Sequence, residues 1–273
     1  MACCKIKKII NRIPDYSGIS YFYTMDDIRQ YLDSTYLKTA AQAGLTDDEN
    51  REVVRSVVRE AITEGFKLVM VRPDMVNMAC EMITAAGSSV DVGTVIDFPE
   101  GNGGLEAKLA EAEEAIKNGA DDLDFVVDYN AFLSGDVIAV EAEVLQCTRL
   151  GLRYGRVVKW IIEVAALTAE QIKGICALIK GVVTANADVT DYNSVFIKSS
   201  TGFYKTEGGL PNGATPETIK IMMECAPPLA VKAAGGVRSY QEALVMINLG
   251  VKRIGTSSAK AIADGSPVSG EGY

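Results

Sequence analysis

The sequence predicts an α/β protein built as a (β/α)8 TIM barrel with an N-terminal extension. Three observations carry this. Eight short apolar runs alternate with amphipathic helical stretches. The runs are nearly continuous in apolar residues, as expected for parallel strands covered on both faces. The chain of 273 residues suits one barrel of about 250 residues, and no internal repeat or low-complexity linker divides it. Periodicity does not show closure, so a doubly wound open sheet stays as the second architecture.

Residues 1–23 lack a clear period and read as the extension; 24–263 form the barrel, and 264–273 a flexible Gly/Ser/Pro tail. Thr24 followed by Met-Asp-Asp opens a short helix with a capping threonine and an acidic first turn. The expected strands are 31–37, 67–71, 90–96, 122–127, 157–163, 195–198, 229–233 and 252–255. Thr46-Asp-Asp-Glu49 carries a capping-box pattern, and Val53, Val54, Val57, Val58 and Ile62 follow at helical spacing. A second helix covers 105–118, with Leu109, Ala112 and Ile116 on one face. Further helices are expected over 137–150, 168–183, 215–225 and 239–249. Thr215-Pro216-Glu217 places proline in a first turn. Gly65, Gly119 and Gly250 stand just past helix ends, where a positive φ is often needed. The segments 184–193 and 203–213 read as long connections, a common location for function.

Composition excludes several chemistries. There is no histidine, which removes Ser-His-Asp and Cys-His nucleophile systems and the usual imidazole-held zinc sites. General acid–base work then falls to Asp, Glu, Lys, Tyr or Cys. With 27 Lys+Arg against 36 Asp+Glu the net charge is −9, which argues against a nucleic-acid partner. Six cysteines form no CxxC pair and read as reduced, mostly buried thiols; Cys3 and Cys4, beside Lys5, Lys7 and Lys8, read as part of a solvated tail. No signal peptide or membrane span is visible, so the expected location is the cytoplasm.

In a parallel barrel, chemistry sits at the C-terminal ends of strands and in the loops that follow. Lys198 ends one apolar strand, Lys232 ends another, and Asp124 interrupts a third. A strand-end lysine taken alone is usually a snorkelling surface residue, but three charges on inward-pointing strands share one interior. An amine attacks a carbonyl only when neutral, and free lysine has a pKa of about 10.4. A second ammonium roughly 5 Å away, at an effective dielectric near 20, opposes double ionisation by about 3 kcal/mol and lowers one pKa by about 2.4. Partial desolvation acts in the same direction. One lysine is thereby suited to forming a Schiff base while a carboxylate between the pair moves protons. Gly235-Gly236 and Gly255-Thr-Ser257-Ser258 follow consecutive strands and supply backbone N–H groups for an anion, with Thr201-Gly202 as a third contact.

At these residues the chain resembles the deoxyribose-phosphate aldolase family, the Schiff-base (class I) aldolases. The matching strings include Asp33-Ser-Thr-Tyr-Leu-Lys38, Thr94-Val-Ile-Asp-Phe-Pro-Glu-Gly101, Val158-Lys-Trp-Ile-Ile-Glu163, Phe196-Ile-Lys-Ser-Ser-Thr-Gly-Phe203, Val231-Lys-Ala-Ala-Gly-Gly-Val-Arg238 and Gly255-Thr-Ser-Ser258. They occur in the family's order over roughly 30–260. The resemblance implies reversible cleavage of 2-deoxy-D-ribose 5-phosphate to acetaldehyde and glyceraldehyde 3-phosphate, with no metal or organic cofactor. It makes Lys198 the Schiff-base lysine, Lys232 its tuning cation, Asp124 a partner in proton transfer and the terminal Tyr273 a proton-transfer aid. It places phosphate at Gly202, Gly235, Gly236, Ser257 and Ser258, and it implies a homodimer.

Some residues depart from the family's pattern. Met70 stands where relatives often carry cysteine. Asp97, Glu100 and Asp128 are expected to put acid at the barrel mouth, and the loop 204–212 is longer than the family's glycine-rich link. These departures support a second reading: an aldolase-like protein of weak or no activity that binds a protein partner, cytoskeletal in class. A phosphosugar isomerase would explain the phosphate loops but gives no role to two buried lysines.

Overall fold

A computed structural model describes residues 28–208 and 210–265. Eight parallel strands close into a barrel in sequence order: β1 (Leu32–Thr35), β2 (Leu68–Val71), β3 (Asp91–Ile96), β4 (Asp122–Val126), β5 (Val157–Ile161), β6 (Val195–Lys198), β7 (Ala230–Ala234) and β8 (Arg253–Thr256). The β1–β8 pairing, with Asp33 opposite Gly255, excludes the open sheet. Each expected strand is present within a few residues of its predicted ends.

The helices are α1 (Ala40–Ala43), α2 (Asp47–Glu64), α3 (Val76–Ala85), α4 (Leu105–Lys117), α5 (Tyr129–Ser134), α6 (Val137–Arg153), α7 (Ala169–Asn186), α8 (Pro216–Cys225), α9 (Tyr240–Leu249) and α10 (Ala259–Asp264). Local sequence fixes their starts. Thr46, Thr168, Thr215 and Ser239 each form a full capping box with the third helical residue, satisfying otherwise orphaned N–H groups. Val54, Val58 and Ala61 of α2 turn inward against the barrel.

One expectation changes, and several fall outside the described residues. The segment 184–193 is not an open connection, because α7 runs on to Asn186 and a 3-10 helix covers Val189–Ser194. Helices α1, α3 and α5 are additional to the expected set; α1 and α5 are only four and six residues long, too short to show a period. The extension 1–23, the Thr24 helix start, Cys3, Cys4 and Tyr273 lie outside the described residues. Among the described residues, Cys147 and Cys176 are buried, and burial pushes both thiols up to about 12. No helix there is long and apolar enough to cross a membrane.

One large apolar cluster joins the outer faces of the strands to the helices. A second, made by Leu37, Leu68, Met70 and Val95, takes Phe98 and Phe203 against it. Met70 is fully buried in this second cluster.

Candidate active site

The rest of the barrel interior holds charge. Asp33 comes from β1, Asp122 and Asp124 from β4, Lys159 from β5, Lys198 from β6, Lys232 from β7 and Arg253 from β8, all buried. Several of their contacts join strands that are not neighbours, which only the barrel interior permits. Lys232 Nζ lies 2.6 Å from Asp33 Oδ2 and 2.9 Å from Asp124 Oδ2. Lys159 Nζ donates to Asp124 Oδ1 at 2.7 Å and to Asp122 Oδ2 at 2.6 Å. Arg253 closes the circuit, with Nε donating to Asp33 at 2.6 Å and Nη2 to Asp122 at 3.4 Å. The contacts form a ring of alternating charge: Asp33, Lys232, Asp124, Lys159, Asp122, Arg253 and back to Asp33. Three cations alternate with three carboxylates, and each touches two neighbours of opposite sign.

Lys198 is the seventh member. Its Nζ donates to Asp124 Oδ2 at 2.8 Å, its one ion-pair contact among the described residues. The ring is balanced without it, so a charged Lys198 leaves the cluster with an excess positive charge.

The electrostatics follow this geometry. Burial opposes ionisation of Asp124, but Lys159, Lys198 and Lys232 outweigh it and hold the carboxyl well below its usual range. Burial likewise disfavours charged Lys159, but Asp122, Asp124 and Asp33 raise its pKa. Lys198 falls to about 8: burial is the largest cause, Asp124 opposes it, and the Lys232 and Lys159 ammoniums add to it. The structure thus reverses the order of causes expected from sequence, with desolvation ahead of like charge, and adds a third ammonium. Gly255 makes room for this packing, since a Cβ there would lie 3.1 Å from Lys232 Cε.

Lys198 lines a cleft at the C-terminal ends of the strands. Of the residues expected to hold phosphate, Thr201, Gly235, Gly236, Gly255 and Ser257 line it; Gly202 and Ser258 do not. The Ser258 N–H is committed to Thr256 Oγ1 at 3.0 Å, and Gly202 O accepts from Asn212 Nδ2 at 3.1 Å. Thr35, Leu37 and Arg238 also contribute to the lining. The loop after β6 is seated by a backbone contact: a Cβ on Gly213 would lie 2.5 Å from the Cα and O of Gly235, and Ala214 N–H donates to Gly235 O at 2.9 Å.

The acids expected to crowd the mouth are engaged elsewhere. Asp97 accepts from Gly103 N–H at 2.8 Å and lies 3.5 Å from Lys108. Asp128 caps α5 through Ala131 N–H at 2.8 Å, and Glu100 is exposed. Among the described residues the lining holds two cations, Lys198 and Arg238, and no carboxylate. The described part of the loop 204–212 does not enter the lining either. The binding-module reading loses its structural basis here. Among the described residues no group of three or more Cys, Asp or Glu side chains is placed to hold a metal ion.

Sequence reasoning missed Asp33, Asp122, Lys159 and Arg253. Each is a charge inside an identified strand, the same signal that singled out Lys198.

Comparison with known proteins agrees with the barrel architecture. The family model for DeoC/LacD family aldolases matches residues 33–262. A deoxyribose-phosphate aldolase of Thermococcus gammatolerans is 37% identical over 241 residues, covering 88% of this chain and 96% of the relative. A solved structure described as a putative deoxyribose-phosphate aldolase from Coccidioides immitis superposes with a TM-score of 0.74 at 29% identity, covering 89% of this chain and 86% of that one. That of Aeropyrum pernix deoxyribose phosphate aldolase, described as a unique tetrameric structure, gives a TM-score of 0.71 at 32% identity over 88% and 91% of the two chains. With the family model spanning most of the barrel and a relative this similar along nearly its whole length, the chain belongs to the DeoC/LacD family of aldolases.

Proposed function

We propose that the protein is a class I aldolase that reversibly cleaves 2-deoxy-D-ribose 5-phosphate, with Lys198 as the Schiff-base nucleophile. The observation that carries this is Lys198 as the supernumerary cation on a balanced ring. A pKa of about 8 gives an amine fraction at neutral pH about 300-fold above that of an ordinary lysine. The three ring cations each hold two carboxylates; burial opposes the charge on Lys159 and Arg253, but those carboxylates raise the pKa of both.

The steps balance as follows. The Lys198 amine adds to the C1 aldehyde, and the carbinolamine loses water to give an iminium. Loss of the C3 hydroxyl proton breaks the C2–C3 bond, releasing glyceraldehyde 3-phosphate and leaving an enamine on Lys198. Protonation at C2 gives the acetaldehyde iminium, and water hydrolyses it to acetaldehyde and free Lys198. Asp124 Oδ2 joins Lys198 and Lys232 through hydrogen bonds of 2.8 and 2.9 Å, a short route for these protons. The phosphate is assigned to the backbone of Gly235, Gly236 and Ser257, with Arg238 at the rim. We extend the reading to a homodimer, as the family resemblance implies, and to a cytoplasmic location; light scattering and cell fractionation test those two points.

The test is covalent trapping. The protein is incubated with acetaldehyde or deoxyribose 5-phosphate, reduced with borohydride and mapped by mass spectrometry. The expected adduct sits on Lys198 and is absent in Lys198→Ala. A folded protein giving neither adduct nor cleavage overturns the proposal.

A further inference from the structure

Glu163 is a buried carboxylate that the reaction above leaves unused. It stands two residues past β5 with φ 54° and ψ 68°, a left-handed conformation that non-glycine residues rarely adopt. It begins the 3-10 turn Val164–Ala166, yet its side chain makes no capping hydrogen bond there. The carboxylate reaches instead to the loop after β6. Its Oε2 accepts from the Thr201 N–H at 3.2 Å and from the Thr201 hydroxyl. The backbone around it is tied to the same loop, with Ile162 N–H donating to Lys198 O at 3.0 Å and Val164 N–H to Ser199 O at 2.9 Å. The other oxygen, Oε1, is buried, and the buried Ser200 hydroxyl lies close enough to the carboxylate to favour its charged form against burial.

Thr201 has one hydroxyl hydrogen and two lone pairs. The hydrogen goes to Glu163, and one lone pair accepts from Phe203 N–H at 3.0 Å. One lone pair is left, on a residue that lines the cleft beside Lys198. In this arrangement the hydroxyl receives a hydrogen bond from a ligand but gives none. A phosphate oxygen needs a donor; a sugar hydroxyl brings its own.

We infer that Glu163 is a positioning residue that fixes Thr201 as a hydrogen-bond acceptor, so that this part of the cleft selects a ligand hydroxyl next to the phosphate arm. The inference rests on the aldolase reading for the identity of the ligand, a short polyhydroxy phosphate. It reassigns Thr201 from phosphate contact to hydroxyl contact. Glutamine at 163 retains an acceptor for Thr201, whereas methionine of similar size does not.

The test is calorimetric binding of two probes that differ by one group: glycerol 3-phosphate and propane-1,3-diol monophosphate, which lacks the middle hydroxyl. The wild-type chain is expected to favour the former by about tenfold, the discrimination one hydrogen bond provides. That ratio falls to near one in Glu163→Met and in Thr201→Val, and stays near tenfold in Glu163→Gln. A wild-type ratio near one, a ratio unchanged in either the Met or the Val variant, or its loss in Glu163→Gln overturns the inference. The Thr201→Val arm stands even where Glu163→Met does not fold. Failure of the aldolase reading shows separately, as the absence of a borohydride adduct on Lys198 in the wild type.

Discussion

Removing a charge from the far side of the ring should move the Lys198 pKa without touching Lys198. Asp122 contacts neither Lys198 nor the cleft; it reaches them through Lys159 and Asp124, by contacts of 2.6, 2.7 and 2.8 Å. That path puts its charge on the order of 8 Å from Lys198 Nζ, where an effective dielectric near 20 gives about 2 kcal/mol. Asp122→Asn keeps the shape and an acceptor for Lys159 while removing one negative charge. The cluster then carries a larger positive excess, and the Lys198 pKa falls from about 8 by about 1.5. Arg253→Met removes a ring cation and acts in the opposite direction, raising the pKa by about 1. The double variant should return close to the wild-type value, because the two charges cancel. The assay is the pH midpoint of acetaldehyde trapping on Lys198 under borohydride, read by mass spectrometry. It isolates amine ionisation from the later proton transfers. A midpoint that is unchanged or rises in Asp122→Asn refutes the charge-balance reasoning, as does a double variant that moves further than either single one.

Other consequences follow from the same contacts. Lys232→Met should raise the Lys198 pKa toward the ordinary lysine range, by about 2, slowing trapping at pH 7; an unchanged midpoint counts against the tuning role. Lys198→Met should stabilise the fold, because a lysine with a folded pKa near 8 is harder to ionise than in the unfolded chain. The native state binds fewer protons between about pH 8 and 10.5, so wild-type stability rises with pH across that window. The advantage of the variant, about 3 kcal/mol at pH 7, should fade to below about 1 kcal/mol above pH 10, as denaturant titrations at both pH values will show. Lys108→Met leaves the buried Glu143 carboxylate without its ammonium partner and should cost about 3–5 kcal/mol in urea unfolding, with Glu143→Gln recovering most of the loss. Gly213→Ala forces the loop after β6 off Gly235 and should raise KM about tenfold or more with a smaller change in kcat.

The strands were legible because each is a short apolar run between polar connections, and a parallel sheet buried on both faces leaves little else in them. That same burial hid much of the site. In Val157-Val-Lys-Trp-Ile161 both faces are covered, so apolar periodicity does not show which way Lys159 points. Lys198 and Lys232 stood out because they end their strands, and Asp124 because it breaks an otherwise apolar run. The ring through Asp33, Asp122 and Arg253 needs closure, since Arg253 meets Asp122 across the barrel and no local pattern encodes that contact. The acids at the mouth misled for a related reason. Asp97 and Asp128 were read by charge alone, while the structure spends them on backbone N–H groups. Helix α5 escaped notice because it is six residues held by that Asp128 cap, too short for a period.

The charge ring also explains why this chain can work without histidine. An imidazole reaches its neutral form near pH 7 unaided; a lysine needs an environment that disfavours its proton. Burial alone would act on Lys159 and Lys232 as much as on Lys198, since all three are buried in the same interior. Selection among them comes from partners. Lys159 and Lys232 each touch two carboxylates, whereas Lys198 shares one oxygen of Asp124 with Lys232. A second carboxylate in direct contact with Lys198, as Asp33 and Asp124 are with Lys232, would raise its pKa and remove the nucleophile. The imbalance that makes the native state less stable at neutral pH is therefore the feature that makes the amine available. The overall charge of −9 does not interfere, because the acidic residues near the mouth are outside the cleft lining and the lining itself is cationic.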